Sequence, residues 1–183
     1  MPNRYKKMSR RYQEEHVDVA IVGAGAAGLF AAIWAGGNSE GHPIQIAVFD
    51  SAKKLGAKIL VAGGGRCNVT HCLVTEHDFA GSSPAAIRKV LRRFTVAQTV
   101  QFFSDAGVEL KEEETGKLFP VTDSARTILN ALIDQSKESH ASLEHPARVT
   151  DIEQLPVSGT ACNVTQEPRF RVVLEDGTVL ARH

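Results

Sequence analysis

The chain has 183 residues, 43% of them hydrophobic, and its 21 Lys and Arg residues balance 21 Asp and Glu residues. That length supports one good-sized core, and zero net charge offers no general attraction to nucleic acid or to an anionic membrane, so a small-molecule substrate is the expected partner. No apolar run approaches the roughly 18 residues needed to span a bilayer. Cys67, Cys72 and Cys162 form neither an even framework nor a C-x-x-C pair, which leaves metal and disulfide readings poor and makes a reduced, cytoplasmic setting the expectation.

Residues 1–16 are basic and polar, with Lys6, Lys7, Arg10 and Arg11, and no signal-type apolar segment follows them. They read as a disordered lead or a short frayed helix, with the folded domain running over 17–183. Residues 17–29 then place a short apolar strand, whose only charge is Asp18, directly before Gly23-x-Gly25-x-x-Gly28 and an alanine-rich helix over 26–35. This is the context a dinucleotide needs: Gly23 permits the tight turn, Gly25 leaves room for a pyrophosphate, and Gly28 lets helix and strand pack closely. Ala26 and Ala27 complete the turn at the helix N-terminus, where unpaired N–H groups and the dipole favour phosphate. Gly36-Gly37 is the expected helix stop.

A second strand over 44–50 ends in Asp50, about 20 residues after Gly28, the spacing of an acid that accepts hydrogen bonds from ribose hydroxyls. Its charge disfavours NADP at this site. The competing reading of Asp50 is a strand-end cap. Ser51 beside it joins the candidate set. A further glycine cluster follows, with Lys58 ahead of Gly63-Gly64-Gly65-Arg66-Cys67-Asn68-Val69-Thr70. Three glycines expose backbone donors, Arg66 adds a planar cationic fork, and Asn68 and Thr70 add neutral donors, which suits an anion or a polar ring edge. A plain NAD-binding unit carries no such loop here, so a larger dinucleotide is favoured over the bland alternative of a flexible surface loop.

Downstream, 84–94 and 95–106 read as helices, the first carrying Arg88, Lys89, Arg92 and Arg93 on a solvated face and the second ended by Gly107. Residues 109–114 read as a charged strand or turn, and 116–120 as a bend leading to Asp123-Ser124, a cap for a helix over 125–137. His71, His77, His140 and His145 show no metal-ligand spacing. Residues 142–144 are the expected third parallel strand and 147–154 a further strand. Residues 169–175 and 178–182 form a hairpin through Asp176-Gly177, after an exposed connection over 156–168.

The Gly23–Gly28 motif, the string from Lys58 to Thr70, and Gly116-Lys117-Leu118-Phe119-Pro120-Val121 followed by Ser124-Ala125 together resemble the aminoacetone oxidase family of FAD-binding enzymes, from about Val17 onward. Asp50 stands where that family commonly has glutamate. The resemblance implies an α/β three-layer FAD/NAD(P)-binding Rossmann-like domain with a parallel sheet and an antiparallel β-meander. It implies that Gly23, Gly25 and Gly28 hold the phosphates and Asp50 the ribose. Lys58, Gly64, Gly65, Arg66, Cys67, Asn68 and Thr70 would line the flavin side, and the Val149 backbone would meet the adenine. Cys67 reads as a packing residue, because no resolving cysteine sits beside it. The implied activity is hydride transfer through FAD, with NAD(P)H as reductant. The family continues past the last residues here, so the resemblance implies an N-terminal portion, incomplete at its C-terminus, that binds FAD weakly or needs a separate chain to complete the flavin site. The alternative is a non-catalytic module that binds NAD or FAD, or an inactive truncated product. No residue stands out as a catalytic acid or base.

Overall fold

The computed structural model describes residues 15–37, 44–156 and 168–181. The readings of residues 1–14, of 38–43, of most of the 156–168 connection and of Cys162 lie outside them. The chain divides into two units, Met1–Leu55 with Ser136–His183, and Gly56–Gln135. The first segment contains β1 (Glu15–Val17), β2 (Val19–Val22), α1 (Ala26–Gly37) and β3 (Ile46–Phe49). There follow α2 (Ala57–Val61), β4 (Thr70–His71), α3 (Pro84–Leu91), α4 (Val96–Asp105), β5 (Leu110–Glu112), β6 (Lys117–Pro120) and α5 (Ala125–Glu138). The last segment supplies β7 (Ala141–Glu144), β8 (Val149–Gln154), β9 (Phe170–Leu174) and β10 (Gly177–Ala181).

In the first unit β2, β3 and β7 form a parallel sheet with β3 central. All four residues of β3 are buried, as its unbroken Ile-Ala-Val-Phe run requires of a strand covered on both faces. Ala47 and Phe49 face a second sheet, packing against Val172, Leu174, Val179 and Ala181. Ile46 and Val48 alternate to the opposite face, where α1 buries Leu29, Ala32 and Ile33. The unit is thus three layers deep: helix, parallel sheet, meander. Each large apolar side chain buried this way contributes about 1.5–3 kcal/mol.

Several expectations shift here. The first strand is two: Asp18 accepts the Gln45 N–H on Oδ2 at 2.8 Å and donates its own N–H to Gln45 O at 2.9 Å. That anchor divides the strand, so β1, including Glu15 and His16 of the expected lead, pairs with β10 while β2 pairs with β3. Helix α1 runs through Gly36 to Gly37 rather than stopping at the glycine pair. Gly36 serves close packing, since a Cβ there would sit 2.2 Å from Ser139 O. The hairpin turn is Glu175-Asp176, with Gly177 already in β10 opposite Leu174.

In the second unit β4, β6 and β5 form an antiparallel sheet, with Thr70 opposite Leu118 and Leu110 opposite Pro120. The expected bend at 116–120 is therefore a central strand. Ser83 caps α3, which ends at Leu91 rather than 94 because Thr95 already caps α4 in a reciprocal box with Gln98. Gly107, at φ +76°, follows α4. Of the expected Asp123-Ser124 cap, Ser124 directly precedes α5, while Asp123 has φ +51° and gives its carboxylate to Lys111 and Arg66.

Candidate functional site

Candidate residues fall into two clusters, one in each unit. In the first, the chain leaves β2 through Gly23, whose φ of +101° favours glycine, and whose N–H donates to Phe49 O at 2.7 Å. A Cβ on Gly28 would lie 1.8 Å from Gly23 O, so only glycine lets α1 close on the turn. Gly25 is the opposite case, with no atom within 4 Å of a Cβ built there. The α1 N–H groups over Ala26, Ala27 and Gly28 have no intrahelical acceptor, and no acidic side chain occupies the first turn. The turn thus leaves open space beside Gly25 and presents unpaired donors at the positive end of a helix.

Asp50, half-buried at the end of β3, closes this turn. Its Oδ2 accepts the Ala24 N–H at 2.7 Å and its Oδ1 accepts the Ala52 N–H at 2.7 Å. The main chain of Asp50 is pinned as well, to Glu144 O at 3.0 Å and by the Ala147 N–H at 2.7 Å. The capping role is therefore present, and each carboxylate oxygen keeps a second lone pair for a ribose hydroxyl. Ser51 is exposed beside it. Val149 opens β8 opposite Leu174 and packs on the Ala47–Phe49 cluster.

In the second unit Lys58 lies exposed on α2, and the chain then turns through a short 3-10 segment, Ala62–Gly65. Gly63, Gly64 and Gly65 have φ values of +55°, +69° and +88°, and Cys67 continues at +62°. A Cβ on Gly63 would meet Asn68 N at 2.8 Å and Phe119 Cε1 at 2.9 Å, whereas one on Gly64 would meet nothing within 4 Å. The Arg66 guanidinium sits 4.1 Å from the Phe119 ring centre. It pairs with Glu113 and lies 3.7 Å from Asp123, which also holds Lys111. Lys111, then Arg66, keeps the Asp123 carboxyl below its usual range. Cys67 is buried, and burial pushes its thiol up, away from the reactive thiolate. Asn68 is exposed, and Thr70 begins β4.

Glu113 and Asp123 are the partners that the sequence does not announce. They lie far from Arg66 in the chain and carry no local motif. Among the described residues no group of three His, Cys, Asp or Glu side chains is placed to hold a metal.

Residues 17–179 match the HI0933-like protein Rossmann domain. The chain belongs to this family. Curated relatives include the ribosomal RNA dihydrouridine synthase of Escherichia coli K12, 32% identical over 138 residues, covering 75% of this chain and 33% of the relative. The 3-dehydro-bile acid delta(4,6)-reductase of Clostridium scindens is 30% identical over 161 residues, covering 87% of this chain and 38% of the relative. The chain thus spans about a third of the length of the curated relatives it matches. Among solved structures, the 3-ketosteroid-delta4-(5alpha)-dehydrogenase of Rhodococcus jostii RHA1 aligns with a TM-score of 0.62 at 12% identity, over 92% of this chain and 44% of that one. The Escherichia coli quinol fumarate reductase subunit FrdA aligns with a TM-score of 0.61 at 14% identity, over 93% and 32%. Both share the fold, and both are oxidoreductases by name. The family's Rossmann-like α/β architecture, a parallel sheet with antiparallel strands, is the one described above. No helix among the described residues is long and apolar enough to cross a membrane.

Proposed function

We propose that this chain is the FAD-binding part of a flavin-dependent oxidoreductase that transfers hydride through the flavin, drawing reducing equivalents from NAD(P)H. The observation that carries the reading is the turn at Gly23, Gly25 and Gly28. It is open where a pyrophosphate needs space, closed where helix must meet strand, and tied to a carboxylate at the end of the next strand. These residues fit a dinucleotide: the amides of Ala26, Ala27 and Gly28 bind phosphate oxygens, and Asp50 accepts from ribose hydroxyls while repelling a 2′-phosphate. The run Gly63-Gly64-Gly65-Arg66, additional to the first glycine turn, supports FAD over NAD, because a plain NAD-binding unit carries no such loop. When bound, FAD supplies two-electron chemistry that no side chain provides.

Two relatives are named for adding hydrogen, one as a dihydrouridine synthase and one as a delta(4,6)-reductase. That supports a reductive direction, the first relative being named for ribosomal RNA and the second for a bile acid. The aminoacetone oxidase reading, amine oxidation rather than ring reduction, draws its support from the string between Gly63 and Thr70.

Thermal-shift titration of the purified chain with FAD, NAD and NADP tests the cofactor. Stabilisation by FAD, with a yellow protein after gel filtration, is the expected result. A protein stabilised by NAD and indifferent to FAD would sink the proposal in favour of a plain nucleotide-binding module.

A further inference from the structure

We infer that Arg66 is a positioning residue, holding the Gly63-Gly64-Gly65 backbone in a binding shape rather than serving as the anion's own ligand. The three glycines hold left-handed conformations with no side chains to secure them, so the neighbouring residue must fasten the loop. Arg66 does this through two contacts. Its guanidinium lies over the face of Phe119, a ring only 3% exposed whose edge abuts Gly63, and it pairs with Glu113 and approaches Asp123. Phe119 and Glu113 both belong to the β5–β6 hairpin, so the loop is clasped to one rigid element from two sides. The charges also close: Arg66 and Lys111 face Glu113 and Asp123. A guanidinium already balanced by carboxylates offers little net attraction to a phosphate. The loop's own main-chain bonds run from the Arg66 N–H to Gly63 O at 3.4 Å and from the Cys67 N–H to Ala62 O at 2.9 Å, and the clasp holds the segment that donates them.

The ligand in this inference rests on the FAD reading, but the clasp is a property of the free chain, so two measurements separate them. Amide hydrogen exchange over residues 63–68 is followed without cofactor in the wild type and in Arg66→Ala, Glu113→Gln and the double variant. Exchange should quicken by about tenfold or more in Arg66→Ala, by less in Glu113→Gln, where the Phe119 contact stays, and no further in the double variant than in Arg66→Ala. FAD titration by flavin fluorescence is then run on the same proteins, with Arg66→Lys added. Glu113→Gln decides the matter, because it keeps the guanidinium. A positioning role predicts weaker FAD binding and a shifted flavin absorption band, with Arg66→Lys restoring only part because the planar fork is lost. A direct ligand, released from Glu113, would bind FAD as tightly as before or more tightly, and that result, or unchanged exchange in Glu113→Gln, overturns the inference. If Arg66→Ala does not fold, Glu113→Gln alone still gives both readouts. A wild type that binds no FAD would retire the cofactor reading and leave the exchange result to judge the clasp.

Discussion

Asp50 and Ala24 are joined by a 2.7 Å hydrogen bond from the Ala24 N–H to Oδ2, which fastens the end of β3 to the glycine turn that precedes α1. The acid that the sequence marks for ribose is thus also a brace for the glycine turn, and its other oxygen holds the Ala52 N–H. Asp50→Ala should cost about 2 kcal/mol or more in urea unfolding, because two amides lose a charged acceptor in a half-buried place. Asp50→Asn should lose about half as much, keeping one acceptor oxygen. Wild-type stability in Asp50→Ala would mean that water replaces the carboxylate without loss, and that the brace is incidental.

The glycines of the turn make opposite predictions for stability and for binding. Gly28→Ala forces a Cβ to within 1.8 Å of Gly23 O, so α1 must move away from the turn, at a cost of about 1–3 kcal/mol or more. Gly25→Ala meets nothing within 4 Å, and as a change next to the helix start it should cost less than about 1 kcal/mol. Its Cβ would nevertheless occupy the space open to a pyrophosphate, so FAD retention should fall while the unfolding midpoint barely moves. Urea titration paired with cofactor titration separates the two. Equal behaviour of the two variants in both assays would break the assignment.

One surface pair should contribute visibly to acid stability. Arg88 hydrogen-bonds the Glu76 carboxylate and holds its pKa down from the usual 4.5 to about 2. A folded-state value below the unfolded one means that the pair stabilises at pH above about 4.5 and that this contribution is lost as pH falls toward 2. Arg88→Met should therefore flatten the melting-temperature profile between those limits and leave its slope near pH 7 unchanged. Added salt should shrink the difference, since the pair is at the surface. An identical acid limb in the variant would show that the pair does not survive in solution.

The cysteines should label unequally. Cys72 is exposed, with its thiol held up mainly by a hydrogen bond to Glu112, whereas Cys67 is buried and raised by burial itself. In a Cys162→Ser background, maleimide should modify one thiol under native conditions, and Cys72→Ser should abolish that reaction. Mass spectrometry of the native and urea-unfolded protein reads it directly. Native labelling of Cys67 at the rate of Cys72 would return Cys67 to consideration as a redox thiol.

What the sequence reveals is what neighbouring residues decide. The strand, glycine turn and helix from Val19 to Ala35 are legible because β-branched residues, three glycines and alanines each act within a few positions of themselves. So are the third parallel strand, expected at 142–144, and the β9–β10 hairpin. The misses have distant causes. Asp18 splits the first strand because Gln45 waits across the sheet, and Gly36 serves Ser139 rather than the end of its own helix. Residues 117–120 become a central strand only because β4 and β5 flank them. The same limit hides half of the second cluster. Arg66 is visible in its motif, but its carboxylate partner Glu113 lies on a hairpin with no signal of its own.

The pairing of β1 with β10 has a consequence for synthesis. Val17 finds its partner at Ala181, and the buried β3 strand receives β7 only after the whole of Gly56–Gln135 has been made. Contacts so distant in sequence form slowly. On the ribosome, Ile46 to Phe49 therefore leave the exit tunnel long before anything can cover both their faces. The growing chain, rather than the finished domain, is the form in which this apolar strand stands open to chaperones and to aggregation.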